Sequence, residues 1–282
     1  MLTPRPGPLL TWQVHERLLA ARRAGLLSAE CSLDLGRSIT TVELGTAGWV
    51  WEARAFPFMA SCKDRTVYHW VDGGFQPVAR FSTHLIKLVP TDWGPPTFEI
   101  DGIKMLPTAR ESPLVDAGRK VGLIQPRGKL ILDTCGGLGY FAAQCLASQA
   151  RHVQSYEKSP DVMWLRSLNP WSPDSPWALD APAALTLSRG DITEQLPGLP
   201  GDCFDAILHD PPRFGIAGEL YSQLFYHQLA RVLRRRGKLF HYTGTPNKFS
   251  RGRDLAGEVV TRLRLAGFAA KLHGDGVLAV KS

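Results

Sequence analysis

The stretch KLILDTCGGLGYF, Lys129 to Phe141, decides how the rest of the chain is read. Its apolar run 129–133 predicts a strand, the glycines that follow predict a tight turn, and FAAQCLASQ predicts a helix leaving that turn. Glycine is needed where the backbone must come close to a ligand that any Cβ would hold off. The spacing is not the Gly-x-Gly-x-x-Gly that suits a dinucleotide's pyrophosphate. Asp133, closing the strand, suits a cationic, phosphate-free ligand instead.

Outward from this turn, short apolar runs alternate with helical stretches, the pattern of a parallel sheet with crossover helices. Strands are expected at 129–133, 152–156, 184–188, 204–209, 238–242, 268–273 and 276–281, which makes a seven-stranded, doubly wound α/β sheet of Rossmann-like type. The second strand ends at Tyr156 and Glu157, and Glu157 lies 18 residues past Gly139, where an acidic side chain can take both ribose hydroxyls. The third ends in Arg189, Gly190 and Asp191, with Asp191 placed to read an adenine amino group. Three carboxylates thus fall at the carboxyl ends of three successive strands, the edge at which open α/β sheets bind ligands. The ligand expected is S-adenosyl-L-methionine, held by Asp133, Cys135, Gly137, Gly139, Tyr140, Glu157, Lys158, Gly190 and Asp191, with a nicotinamide or a vestigial site as the alternative.

The fourth strand ends in His209, Asp210, Pro211, Pro212, Arg213 and Phe214. Two consecutive prolines fix the backbone and remove two N–H donors, so carbonyls and the Asp210 carboxylate are left as acceptors. Such a set orients an amine lone pair and takes its proton. Transfer would then be an in-line displacement in which positioning supplies most of the acceleration. Phe214 or Tyr221 is expected to stack on a planar target. His209 and His241 end neighbouring strands, and each is read either as a proton acceptor at the pocket or as a backbone-satisfied strand end. Tyr242, a further catalytic candidate, begins a loop that carries Lys248, Arg251 and Arg253, read either as a cationic clamp for phosphate or carboxylate or as a solvated loop. The triplet Arg234, Arg235 and Arg236 is expected to form a turn at the opposite edge.

Residues 1–107 read differently and are expected to form a separate domain ahead of a catalytic domain at 108–282. Within 9–27, Leu10, Val14, Leu18 and Ala21 fall at helical spacing, and a helix is expected that ends at Gly25. From Ser28 the period becomes two: CSLDLGRSITTVEL alternates Leu33, Leu35, Ile39 and Thr41, and a hairpin is expected across Asp72, Gly73 and Gly74. HLIKLVP and TFEIDGIKML add short strands to this small, β-rich antiparallel domain. The linker at 168–182, rich in proline and tryptophan, is expected to be an ordered loop. In it, Asn169 and Trp171 either cover the adenine or pack.

The net charge is +7, and it is uneven: residues 1–107 hold 11 Lys and Arg against 10 Asp and Glu, whereas 108–282 hold 22 against 16. This basic excess permits RNA as a partner beside a small-molecule acceptor. The five cysteines show no Cys-x-x-Cys spacing, so no metal is expected. With no apolar leader and no long apolar run, the chain is expected to be cytoplasmic and to have no membrane partner.

Resemblance adds to this reading. Asp210, Pro211 and Pro212 look like the motif of amino-directed and RNA methyltransferases, and with Arg213 they are similar to the RNA uridine-C5 group. That group uses a cysteine after the fifth strand. Here the stretch is FHYTGTPN (240–247), without one, so a covalent C5 mechanism is not expected. Nearly the whole chain resembles the archaeal-type methyltransferases, an orphan Rossmann-class family similar in cofactor fold to spermidine synthases. The stretches that carry the likeness are SLDLG (32–36), PTFEI (96–100) with Gly102 and Ile103, LDTCGGLGY (132–140), NPWS (169–172), HDPPRF (209–214) with AGELYS (217–222), and LFHYTG (239–244) with RGRD (251–254). Cys135 and Gly136 depart from the common turn. The resemblance implies the fold, the cofactor and a transferase, and it brings no substrate. Two alternatives stay open: an aminopropyltransferase-like enzyme using the decarboxylated cofactor, and a non-catalytic RNA-binding Rossmann protein.

Overall fold

A computed structural model describes residues 7–177, 182–244 and 254–282. The chain divides into two compact units, Met1–Pro113 with Trp164–Leu179 and Leu114–Met163 with Asp180–Ser282. The segment 164–179 groups with the first unit, although the sequence alone places it beyond the boundary at 107.

The first unit is built from short antiparallel sheets. Its helix is shorter than expected, Trp12–Arg23, because Thr11 caps it: the Thr11 hydroxyl accepts the Val14 N–H at 3.4 Å. Leu10 is not on the helix but in a strand facing Tyr68. The hairpin Tyr68–Val71 to Gly74–Pro77 turns at Asp72 and Gly73, both at positive φ (50° and 79°), the conformation a two-residue turn requires. A second such turn at Asp101 and Gly102 makes a hairpin of Thr97–Ile100 and Ile103–Lys104.

The run CSLDLGRSITTVEL is not one strand. Ser28–Cys31 and Thr40–Leu44 pair with each other across a turn in which the Asp34 carboxylate accepts from the Ser32 hydroxyl and from the Ser38 N–H and hydroxyl. Leu35 therefore sits at φ 55°, and Ile39 is exposed. Aromatic burial holds the unit together, with Trp49 stacked on Phe56 at 4.7 Å and Trp70 edge-on to Phe56 at 5.1 Å.

The second unit carries the seven-stranded sheet: β1 Leu130–Asp133, β2 His152–Glu157, β3 Leu185–Arg189, β4 Phe204–His209, β5 Leu233–Tyr242, β6 Phe268–His273 and β7 Gly276–Lys281. Their order is β3-β2-β1-β4-β5-β7-β6. The first five run parallel, and β7 lies antiparallel to both β5 and β6. The helices are α1 Pro113–Ile124, α2 Tyr140–Ala147, α3 Pro160–Leu168, α4 Ile192–Gln195, α5 Gln223–Val232 and α6 Leu255–Leu265. Division of the chain into units falls within α3.

A sheet covered on both faces needs apolar residues on both sides of its strands. Leu132, Ile207, Leu239 and Ala279 accordingly share one core cluster with Phe225, Tyr226 and Leu229 of α5 and Val259 and Leu263 of α6. The arginine triplet lies inside β5 rather than in a turn before it. Leu233 pairs with Phe204 but Lys238 with Ala206, so the residues between them bulge outward with Arg236 at φ 62°. Among the described residues no helix is long and apolar enough to cross a membrane.

Candidate active site at the carboxyl edge of the sheet

Between β1 and α2 the chain makes two left-handed steps, Gly137 at φ 51° and Gly139 at φ 84°. The Gly136 N–H donates to the Tyr156 carbonyl at 2.7 Å and the Gly139 N–H to the Gly136 carbonyl at 2.8 Å, which ties the turn to β2 and closes it on itself. A side chain built on Gly137 would meet no atom within 4 Å. The space beside the turn is open.

Asp133 is fully buried and in register with Ser155 on β2, whose hydroxyl donates to Asp133 Oδ2 at 2.8 Å. Glu157 is oriented by two backbone donors: Gly137 N–H to Oε2 at 2.9 Å and Ser159 N–H to Oε1 at 2.8 Å. A carboxylate oxygen can accept more than one hydrogen bond. Tyr140 opens α2 with its ring buried, and Cys135 packs against the core with its thiol pushed well up by burial and by Glu157.

Asp191 does more than the sequence suggests. Its Oδ1 caps α4, accepting from the N–H and hydroxyl of Thr193 at 2.9 and 2.7 Å, and its Oδ2 pairs with Lys158 at 2.6 Å. Burial alone would raise its pKa, but the Lys158 and Thr193 donors outweigh burial and hold it below the usual range. Lys158 is thus engaged by Asp191, and the Gly190 N–H reaches the Glu157 carbonyl at 3.0 Å. The expected cofactor set is gathered at the ends of β1, β2 and β3.

Asp210 follows β4. No hydrogen bond from its side chain to another described residue occupies it, and burial raises its pKa to about 6 despite the nearby Lys120 ammonium. Pro211 is buried, while Pro212 and Arg213 are exposed. The Pro212 carbonyl accepts from the Tyr221 hydroxyl at 3.0 Å, so Tyr221 braces the proline ledge. Tyr221 is only 2% exposed, with its ring edge-on to Phe214 at 5.4 Å. A stacking role for Tyr221 is therefore corrected, because its faces are already covered.

His209 is corrected likewise. Its Nε2 meets the Leu220 carbonyl at 3.1 Å and its Nδ1 the Thr134 hydroxyl at 2.7 Å. A carbonyl can only accept, so Nε2 carries the proton and Nδ1 receives the threonine's. Burial and the adjacent His241 push its pKa well below the ordinary value. His241 is likewise satisfied, by the Tyr226 hydroxyl at 3.0 Å and the Tyr242 carbonyl at 2.9 Å. Both rings are buried and hydrogen-bonded within the protein, and burial holds them toward the neutral form, which fits the backbone-satisfied reading. Trp171 packs too, its indole N–H bonded to the Leu35 carbonyl at 2.9 Å within the first unit. Lys248, Arg251 and Arg253 lie outside the described residues.

Sequence reasoning missed α1 and with it Asp116, Arg119 and Lys120. The Lys120 ammonium is 1% exposed, 2.7 Å from Asp116 Oδ2 and 3.7 Å from the centroid of the Tyr242 ring. Arg119 pairs with Asp275 of the β6–β7 turn at 2.9 Å. A Ser-Pro start at 112–113 with Asp116 in the first turn is the signal that points to this helix.

No family model matches the chain. An uncharacterized protein of Methanocaldococcus jannaschii, MJ1233, is 38% identical over 219 residues, covering 76% of this chain and 73% of the relative. The chain belongs to the MJ1233 family. A spermidine synthase in complex with the transition-state analogue AdoDATO is similar in structure to this MJ1233-family chain, with a TM-score of 0.56 at 17% identity over 72% of this chain and 73% of the synthase. Spermidine synthase from Thermotoga maritima gives 0.53 at 17% identity, over 72% and 71%. At that identity these likenesses show the fold, a Rossmann-like α/β sheet.

Proposed function

We propose that this chain is an S-adenosylmethionine-dependent methyltransferase acting on a nitrogen acceptor. The observation that carries this reading is the Glu157 carboxylate, fixed by the Gly137 and Ser159 N–H groups at the carboxyl edge of the sheet beside an open glycine turn. Two oxygens preset by backbone donors suit two neighbouring ribose hydroxyls. In this reading Asp133 meets the methionyl ammonium, directly or through water, and Asp191, beside Lys158, takes the adenine end. When bound, the cofactor supplies an electrophilic methyl group on a sulfonium.

Asp210 then accepts a hydrogen bond from the acceptor nitrogen, aligns its lone pair with the methyl carbon, and takes the proton as the new N–C bond forms and the S–C bond breaks. Pro211, and Pro212 with its carbonyl held by Tyr221, keep this ledge from relaxing. Phe214 and Arg213 border it on the acceptor side. The acceptor class is a neutral amine or ring nitrogen, in RNA or in a small molecule.

A second reading, aminopropyl transfer from the decarboxylated cofactor, is favoured by the likeness in fold to spermidine synthases. Calorimetric titration separates the two. Binding of S-adenosylmethionine and its demethylated product supports methyl transfer, and preference for the decarboxylated form supports aminopropyl transfer. No binding of any of the three overturns both. Mass spectrometry of RNA and metabolites from cells lacking the gene, searched for one missing methyl mark, then names the acceptor.

A further inference from the structure

The reading of Asp210 as the acceptor's proton partner leaves a buried cation beside it without a role. Lys120 is 1% exposed, and a lysine ammonium is rarely so deeply placed unless paired. Two neighbours fix it: Asp116 Oδ2 at 2.7 Å, one helical turn earlier on α1, and the face of the Tyr242 ring at 3.7 Å. Phe141 lies on a further side at 5.7 Å. Tyr242 ends β5 and Asp210 follows β4, and these strands are in register up to the pair His209 and His241. The ammonium held over Tyr242 therefore stands beside the ledge that carries Asp210. A buried ion pair as a whole is often no more stabilising than well-packed apolar side chains of like volume, so stability alone does not account for one here.

We propose that Lys120 is a positioning residue for Asp210: clamped by Asp116 and the Tyr242 ring, its ammonium keeps the Asp210 carboxylate charged and aimed at the acceptor. This rests on the role given to Asp210 above. The groups around that carboxylate explain why a cation is needed. Asp116 from α1, Asp133 from the end of β1 and Asp275 from the β6–β7 turn all oppose its charge, and burial opposes it more; Tyr221, Tyr242 and Cys135, neutral when protonated, complete the surroundings. Among the described residues, Lys120 is the cation that counters them. It stays charged because Asp210 and Asp116 together outweigh its own burial.

The test is the titration of Asp210, followed by carboxyl carbon-13 NMR with Asp210→Asn to assign the resonance. In the unsubstituted protein the midpoint is expected near 6. Lys120→Met is expected to move it above about 7, since an opposite charge a few ångströms away ordinarily shifts a carboxylate by about 1–3 pH units. Lys120→Arg should leave it near 6. An unmoved midpoint in Lys120→Met, or an equal rise in both variants, overturns the proposal. If Lys120→Met does not fold, Asp116→Asn with Lys120→Met removes the pair without stranding a charge. The midpoint should still rise there, by less, and no rise overturns the proposal. Titration of the unsubstituted protein with S-adenosylmethionine runs alongside: absence of binding would sink the methyltransferase reading, while the Asp210 midpoints still decide the role of Lys120.

Discussion

At the scale of single residues, the roles proposed for Glu157 and Asp210 predict different failures. Glu157→Ala removes the acceptors proposed for the ribose hydroxyls and also strands the Gly137 and Ser159 N–H groups, so on the proposed reading cofactor affinity should fall by about 1–3 kcal/mol, roughly 5- to 150-fold. Glu157→Gln keeps one carbonyl oxygen and should lose less. Calorimetry on the two variants checks the order, and equal affinity in Glu157→Ala and the unsubstituted protein would remove Glu157 from the site. Asp210→Asn should do the reverse, leaving that affinity intact and abolishing turnover. Because Asp210 is raised to about 6, turnover with an intact site should decline as pH falls through that value, where the carboxyl takes its proton from solvent. A rate that stays flat from pH 8 to pH 5 would mean that Asp210 does not accept the proton. The carboxylates Asp133, Glu157, Asp191 and Asp210 were all legible in the sequence, because each follows an apolar run and the carboxyl ends of parallel strands share one edge. Lys120 was not, because its role depends on a helix meeting two strand ends that lie far from it in the chain.

At the scale of elements, the parallel strands read almost as they stand, since their apolar runs are bounded by glycine, proline and acidic residues. Helix α1 was missed for a physical reason. Its buried face includes Pro113, Ala117, Val121 and Ile124, but also Asp116 and Lys120, and two charges on the core side erase the apolar period that marks a helix. The first helix was begun too early and the alternation from Cys31 carried too far because Thr11 and Asp34 each divert the backbone with a side-chain acceptor that periodicity does not register. Two glycines test the elements in opposite directions. Gly122 lies in α1 with nothing within 4 Å of a built Cβ, so Gly122→Ala should stabilise by about 0.5–1 kcal/mol. Gly276 opens β7 opposite Tyr242, where a Cβ would come within 2.4 Å of the His241 carbonyl oxygen and 2.7 Å of the Phe240 ring. Gly276→Ala should destabilise by about 1–3 kcal/mol or more. Denaturant midpoints moving the same way in both variants would contradict this account of α1 and the β5–β7 edge.

At the scale of the whole molecule, the buried histidines beneath the ledge tie stability to pH. His241 is 0% exposed and lowered from 6.5 to about 4 by burial, and His209 is held well below its ordinary value by burial and by His241 itself. In the unfolded chain both take a proton near pH 6.5, whereas the folded protein refuses it until far lower pH. Below pH 6.5 the unfolded state therefore binds more protons, and folding stability must fall with pH across the window from about 6.5 to about 4. For His241 the loss amounts to about 3 kcal/mol by the lower end, at about 1.4 kcal/mol for each pH unit between the two states. Asp210 acts in the opposite sense. Raised to about 6, it takes up a proton in the folded state before the unfolded chain does, and so offsets part of the loss between about 6 and 3.8. The two contributions are separable by substitution. His241→Gln should flatten the decline of unfolding free energy between pH 6.5 and 4, whatever it does to stability at pH 8, and Asp210→Asn should steepen it. Parallel pH profiles for His241→Gln and the unsubstituted protein would show that the His241 ring is not held neutral, and the scaffold beneath the proline ledge would need another explanation.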